Sequence, residues 1–286
     1  MIRESPIAGS WYEGTEKSLN KQILGAALSK FGVGYDFKNL KETDGRRLLG
    51  VVSPHAGYMY SGATATHAYA TLHNYRPKIK EVFVLGPDHQ GYISGIHAFP
   101  SGGWRTPLGT MEIRDNLVDA VRESSLHADF NPDSHRREHS IDIQLPMLQY
   151  AYSNILKFLP LMLSRQSLAQ SRIVGEFLSR QKDVAIVASS DLSHEYDYEI
   201  LQRNDRQFLD LLKSADLEEV DKFRREVGMT SCGFGAIFAL LHAANLLGEV
   251  EVEELSYSNS AMVAGRSPGQ YTVGYAALGV FLDDNM

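Results

Sequence analysis

Several short stretches place side chains able to hold a metal ion or move a proton directly beside turn-forming residues. "SPHAGYMYSG" (53–62) sets His55 between Pro54 and Gly57, and "LGPDHQG" (85–91) sets His89 next to Pro87 and Gly91. "SSDLSH" (189–194) carries Asp191 and His194, "EHSIDIQLP" (138–146) carries His139, and "TSCGFG" (230–235) carries Cys232. A turn needs the proline and the glycine but has no need of an imidazole. Neutral imidazole is the commonest protein ligand for metals, and two imidazoles with a thiolate can bind a transition ion. Cys232 stands just before the most apolar helical stretch of the chain, where aligned N–H dipoles favour a thiolate. Asp191 could orient a neighbouring imidazole, and His194 could shuttle protons in a pocket.

Each of these residues also has a purely structural reading. A lone histidine in a Pro/Gly turn is ordinarily a hydrogen-bonded surface group, and a lone cysteine is ordinarily a small buried hydrophobe. Asp191 could cap the helix that follows it, with Ser193 or His194 closing a turn. In 138–150, Ser140 reads as a helix N-cap and Ile141, Leu145 and Leu148 as the inward face. His139 then serves either helix entry or pocket lining. His67, His73, His97, His127, His135 and His242 lack comparable surroundings and read as structural.

The elements that must position these groups follow from the apolar pattern. The runs 46–54, 80–87, 156–163 and 183–191 are short and almost continuously apolar, as expected of strands buried on both faces. Between them the pattern predicts helices over 61–73, 114–125, 138–152, 167–181, 197–213, 216–226 and 234–247, with further strands at 250–258 and 270–282. Strands alternating with helices indicate an α/β fold with a central, mostly parallel sheet flanked by helices. Ligands bind such sheets beyond the carboxyl ends of the strands. His55, His89, Asp191 and His194 follow strand ends and are expected to meet there. Segment 32–45 reads as a flexible loop and 90–109 as a long irregular one of the kind that tends to be functional. With no convincing linker, residues 1–286 are expected to form one domain.

Composition excludes several classes. The 286 residues carry 28 basic and 35 acidic side chains, a formal charge of −7, and no basic stripe, so nucleic acid is not an expected partner. The one cysteine excludes an intramolecular disulfide and any all-cysteine zinc site. The N-terminus lacks the apolar core of a secretory signal, and "FGAIFALLHAANLLG" (234–248) is too short for a membrane span. The chain therefore reads as a cytoplasmic protein with no membrane partner, and oligomer formation is left open. No complete nucleotide-binding glycine motif and no serine nucleophile elbow are present.

In their order and spacing, "RESPIAGSWYEG", "SPHAGYMYSG", "VFVLGPDHQG", "EHSIDIQLP", "ASSDLSH" and "TSCGFG" resemble the Memo family, over essentially the whole chain. That family is named for a vertebrate member linked to ErbB-driven cell motility. Its fold is similar to that of class III extradiol dioxygenases, in which two histidines and a glutamate hold non-haem iron(II) and a further histidine acts as acid–base. The resemblance implies that His55 and His89 are metal ligands and that Cys232 replaces the glutamate. It further implies that His194 takes the acid–base position, that Asp191 belongs to the same pocket, and that Tyr60 and His139 line it. Thiolate in place of carboxylate shifts preference toward copper or zinc while still permitting iron. It is also oxidisable, so dioxygenase chemistry does not carry over with the fold. After "GP" the chain has Asp88 before the histidine and Gln90 after it, where a second histidine is common among relatives.

Three functions compete on this reading. The first is a metal-binding protein, redox-active toward an unknown substrate, with iron, copper or zinc at His55, His89 and Cys232. The second is a non-catalytic module that binds a peptide or small molecule in the same pocket. Trp11, Tyr12, Tyr58 and Tyr60 would supply its aromatic surface, although Trp11 and Tyr12 could equally be core anchors. The third is a Cys–His hydrolase or transferase with Cys232 as nucleophile and His55 or His194 as base.

Overall fold

The computed structural model describes residues 1–153, 155–164, 166–265 and 269–282. In chain order the strands are β1 (Ile2–Glu4), β2 (Arg47–Ser53), β3 (Glu81–Pro87), β4 (Ile96–Ala98), β5 (Gly103–Thr106), β6 (Gly109–Glu112), β7 (Lys157–Leu163), β8 (Val184–Ser189), β9 (His194–Glu195), β10 (Val250–Asn259) and β11 (Thr272–Leu282). The helices are α1 (Glu16–Leu28), α2 (Tyr58–Tyr75), α3 (Asp115–Arg122), α4 (Leu145–Tyr152), α5 (Leu168–Ser179), α6 (Tyr198–Leu212), α7 (Leu217–Glu226), α8 (Phe234–Asn245) and α9 (Ser260–Ala264). Among the described residues, none of them is long and apolar enough to cross a membrane.

The central sheet has the order β10-β11-β2-β8-β3-β7-β4. Its middle four strands, β2, β8, β3 and β7, run parallel, while β10, β11 and β4 join antiparallel at the two sides. Val51 pairs with Val187, and Val187 with Val84, so the three strands that precede His55, Asp191 and His89 are in near register and end together. Beyond the first residue each parallel strand is buried throughout, because helices cover both faces. Helices α1, α2 and α4 pack together, as do α5, α7 and α8, and both α2 and α8 contact β2 and β11. The sheet is thus the middle layer of an α/β sandwich, as the alternating pattern predicts. Strands β1, β5 and β6 form a separate small sheet within and beside the region read as irregular.

Three local expectations change. The stretch 138–152 is helical only in part: a 3₁₀ turn covers Asp142–Gln144 and α4 follows. Ser140 is not a cap: its hydroxyl donates to the Pro87 carbonyl at 3.1 Å, and the Glu138 carboxylate accepts the backbone N–H groups of His139 and Ser140 at 2.9 and 2.8 Å. Segment 32–45 carries no strand or helix, but Phe37 at its centre is fully buried and its carbonyl accepts from His73 Nδ1 at 2.8 Å. Helix α1 lies outside the helices that the sequence pattern predicts; Thr15 caps it and Leu19, Ile23 and Ala27 form its buried stripe.

The first residues of the chain act as a buried clamp. The Arg3 guanidinium ion-pairs with Asp142, donates to the carbonyls of His135 at 2.8 Å and Glu138 at 2.7 Å, and lies 3.9 Å from the centre of the Trp104 ring. The Asp142 carboxylate also accepts from Ser5 and Tyr12 at 2.7 and 2.8 Å. Arg3 thus fixes both ends of the 135–142 segment. Burial, and then the Arg3 charge, depress the His135 imidazole to about 3.

Replacing Arg3 with alanine would leave the Asp142 carboxylate buried and unpaired. We expect a loss of about 3–5 kcal/mol of unfolding free energy, read from urea denaturation. Acid should also destabilise the fold through His135. Its folded pKa lies below the unfolded value near 6.5, so below that pH the unfolded chain takes up a proton that the folded chain refuses. Stability should therefore fall as pH drops from about 6.5 toward 3. A His135→Phe variant, if folded, should flatten that part of the stability–pH curve.

Candidate metal centre

Three parallel strands deliver the donors. After Ser53 at the end of β2, Pro54 turns the chain and His55 becomes buried. After Pro87 at the end of β3 comes His89, and after Ser189 at the end of β8 comes Asp191. Cys232 arrives from the opposite direction, on the residue before the Gly233 N-cap of α8. Gly233 makes that approach feasible, because a Cβ there would lie 2.0 Å from the Ser189 carbonyl oxygen. Gly86 does the same for the 138–140 segment, since a Cβ would lie 2.6 Å from Ser140 Oγ.

The result is two overlapping groups of donor atoms. His55, His89 and His139 form one, and His55, Asp191 and Cys232 the other, with atoms inside each group lying within 4.8 Å of one another. Cys232 Sγ lies 2.9 Å from His55 Nε2. The rings of His55 and His89 meet edge to face at 5.0 Å, and His139 stacks on His89 at 4.4 Å. Imidazole, thiolate and carboxylate donors in one place suit iron, copper or zinc, so the donor set fits a transition ion. The sequence-based set of His55, His89 and Cys232 is therefore divided: His55 is common to both groups, while His89 and Cys232 belong to different ones.

Hydrogen bonds hold His55, His89, Asp191 and His194 in place. The Glu138 carboxylate accepts from His89 Nδ1 at 2.8 Å and from the His89 backbone N–H at 2.7 Å. A carboxylate can only accept here, so His89 Nδ1 carries a proton and the ring is held in one orientation. The Asp191 carboxylate accepts the His55 backbone N–H at 2.7 Å, tying the end of β8 to the turn after β2. It does not cap a helix; Asp197 caps α6 instead. His194 lies on β9, paired with Val273, and its Nδ1 donates to the Leu192 carbonyl at 3.0 Å. Asp205 on α6 accepts the Ser193 N–H at 2.9 Å and so steadies that strand.

Electrostatics favour neutral groups wherever burial dominates. Burial, reinforced by His89, His139 and His194, pushes His55 well below the usual imidazole range. Burial, then His89, lowers His139 to about 4, and burial lowers His194 as well. Burial raises Asp191 to about 7, against the pull of the His55 N–H. Burial and the nearby Asp191 carboxylate also push the Cys232 thiol well up. This outweighs the helix-terminus effect expected from sequence, so without a cation the sulfur keeps its proton. Burial would raise Glu138 too, but its hydrogen bonds and the charges of His89 and His139 hold it at about 2.

The four site histidines and Asp191, but not Cys232, line a cavity of about 510 Å³. His55, His89, His139, Asp191 and His194 form its polar floor, and Trp11, Tyr60 and Tyr271 stand on its walls. Tyr60 is 39% exposed and Trp11 36%, with the Trp11 ring 4.3 Å from His139. Tyr12 and Tyr58 are buried and bonded to Asp142 and to the Ile143 carbonyl, so they are core anchors and not part of a recognition surface. Glu138, Gln144 and Ser189 were not singled out from sequence, although each directly or indirectly orients a site histidine. The "EHS" stretch held the clue for Glu138, a carboxylate immediately before a histidine. The six histidines read as structural do not line the cavity.

Comparison with known proteins agrees with this architecture. A MEMO1 family protein of Nitrosopumilus maritimus is 33% identical over 281 residues, covering 97% of this chain and 99% of that one. A MEMO1 family protein of Sulfurisphaera tokodaii is 36% identical over 251 residues, covering 85% of this chain and 88% of its own length. Among solved structures, an uncharacterized protein from Escherichia coli K12 superposes with a TM-score of 0.59 over 83% of this chain and all of the other, at 11% identity, a likeness of fold alone. The family described as Memo-like protein matches residues 3–279, and the chain belongs to it.

Proposed function

We propose that this protein binds one transition metal ion, iron or copper in preference to zinc, at the junction of the two donor groups. His55 would be the shared ligand, completed by Cys232 and His89, with Asp191 and His139 beside them. The observation that carries this reading is the 2.9 Å approach of Cys232 Sγ to His55 Nε2 beside the His89 and His139 rings. A bound ion would supply Lewis-acid or one-electron redox chemistry toward a small molecule in the cavity. Trp11 and Tyr60 would then position that molecule, and His194, a floor residue outside both donor groups, would move a proton.

The second reading, a binding module without turnover, draws support from the half-exposed Trp11 and Tyr60 at the cavity. A peptide or small molecule would then be held by the aromatic walls alone. The Cys–His nucleophile is less well supported. Its two atoms are close, but burial and Asp191 keep the proton on sulfur, whereas a nucleophilic thiolate needs the opposite.

Elemental analysis of untagged protein should find close to one iron, copper or zinc per chain. His55→Ala and Cys232→Ser should both abolish most of that content while retaining the fold by circular dichroism. Stoichiometric metal unaffected by either change would sink the proposal. The absence of metal from the unaltered protein, together with a cavity ligand lost in Trp11→Ala, would favour the binding module. Glu138→Gln provides a second check. Both Glu138 oxygens accept N–H groups, so an amide in either orientation sets an NH₂ against a donor. We expect about a 10–100-fold loss of metal affinity by titration, and about 1–3 kcal/mol of lost stability.

A further inference from the structure

The orientation of His89 is set by a carboxylate, but His55 has no charged partner on its Nδ1. That nitrogen lies 2.9 Å from Ser189 Oγ, and either atom could be the donor if the pair stood alone. The surroundings of Ser189 remove the ambiguity. Its hydroxyl has one hydrogen, and Ser189 Oγ lies 2.6 Å from the Ser140 carbonyl oxygen, which can only accept. The hydroxyl hydrogen is therefore committed to Ser140. If it turned to His55 instead, two oxygen lone pairs would face each other at that distance.

Ser189 Oγ also receives a donor from its other side. Gln144 Nε2 lies 2.7 Å from Ser189 Oγ and 3.1 Å from the Pro54 carbonyl oxygen. The amide cannot be reversed, because its oxygen would then face the Pro54 carbonyl. Both amide hydrogens are used in this way, and Gln144 Oε1 accepts from the Tyr69 hydroxyl. All of these groups are buried, so water cannot relax the arrangement. With its own hydrogen spent on Ser140, Ser189 Oγ can offer His55 only a lone pair.

We propose that Tyr69, Gln144 and Ser189 are positioning residues that fix His55 in the tautomer protonated on Nδ1, with the Nε2 lone pair aimed at Cys232. The relay runs Tyr69 O–H to Gln144 Oε1, Gln144 N–H to Ser189 Oγ, and Ser189 O–H to the Ser140 carbonyl, with the His55 Nδ1–H also donating to Ser189. In the metal-free protein Nε2 accepts the Cys232 S–H. For metal binding, the relay presents His55 as a ready ligand that need not change tautomer. Only this last consequence rests on the proposed metal function; the tautomer itself does not.

Metal-free protein labelled with ¹⁵N-histidine tests the relay through long-range ¹H–¹⁵N correlation, with His55 resonances identified by their loss in His55→Gln. The expected spectrum shows His55 Nδ1 protonated and Nε2 bare. A proton on Nε2, or on both nitrogens, would overturn the proposal. Ser189→Ala removes the acceptor, and His55 should then populate both tautomers, with Zn²⁺ affinity reduced about 10–100-fold. Retention of the Nδ1–H tautomer alone in that variant would also overturn it. Should Ser189→Ala fail to fold, the spectrum of the unaltered protein still decides the question. Failure of Fe²⁺, Cu⁺ and Zn²⁺ alike to bind while His55 shows the Nδ1–H form would remove the metal reading and leave the relay standing.

Discussion

The buried polar side chains that hold His55 and His89 at the carboxyl edge of the parallel sheet are hydrogen-bonded to one another and to the strand ends, and this matching organises the site. His55, Glu138, Ser140, Gln144, Ser189 and Asp191 are all essentially inaccessible to solvent. An unmatched group among them would cost about 1–3 kcal/mol. Their partners are one another and the backbone ends of β2, β3 and β8. The Glu138 carboxylate serves the turn after β3, the Asp191 carboxylate the turn after β2, and Ser189 sits between His55, Gln144 and the Ser140 carbonyl. Removing any one of these groups leaves its partners unsatisfied, so the edge stands or falls as a unit.

The same network of buried polar contacts extends to the N-terminal segment. Arg3 grips the backbone on both sides of the 135–138 turn and neutralises Asp142, while Tyr12 and Ser5 complete the same carboxylate. The Trp11 carbonyl accepts the first N–H of α2 at 2.8 Å, so the same clamp places the Trp11 ring against His139. Residues at the start of the chain thereby shape a wall of a cavity whose floor is contributed from residues 55 to 194.

Protons and a cation would compete for the same atoms at this site. Burial favours the neutral forms of His55, Asp191 and Cys232. A divalent ion reverses that preference for the thiol and the carboxyl, because its charge replaces the lost hydration. Neutral imidazole needs no such reversal, and a histidine whose lone pair already points at the sulfur has only to exchange a shared proton for a metal.

The strands and the residues that follow them were legible from sequence, since nearly unbroken apolar runs identify β2, β3, β7 and β8, and parallel neighbours must end on the same side. The placement of His55, His89, Asp191 and His194 around one cavity follows from that geometry, and the motif order carried the family. The partitioning of donors did not follow. Cys232 groups with Asp191 around His55 because Gly233 lets the start of α8 come against Ser189, a contact between residues over forty positions apart. The Ser140 hydroxyl bonds the Pro87 carbonyl and caps no helix, and Tyr12 and Tyr58 turn inward to buried acceptors. Periodicity records which face of an element is apolar, and so the sequence determined the scaffold and its functional edge. Hydrogen-bond partners and thiol acidity depend on distances of a few ångströms between remote segments, and these were decided only when tertiary packing brought those segments together.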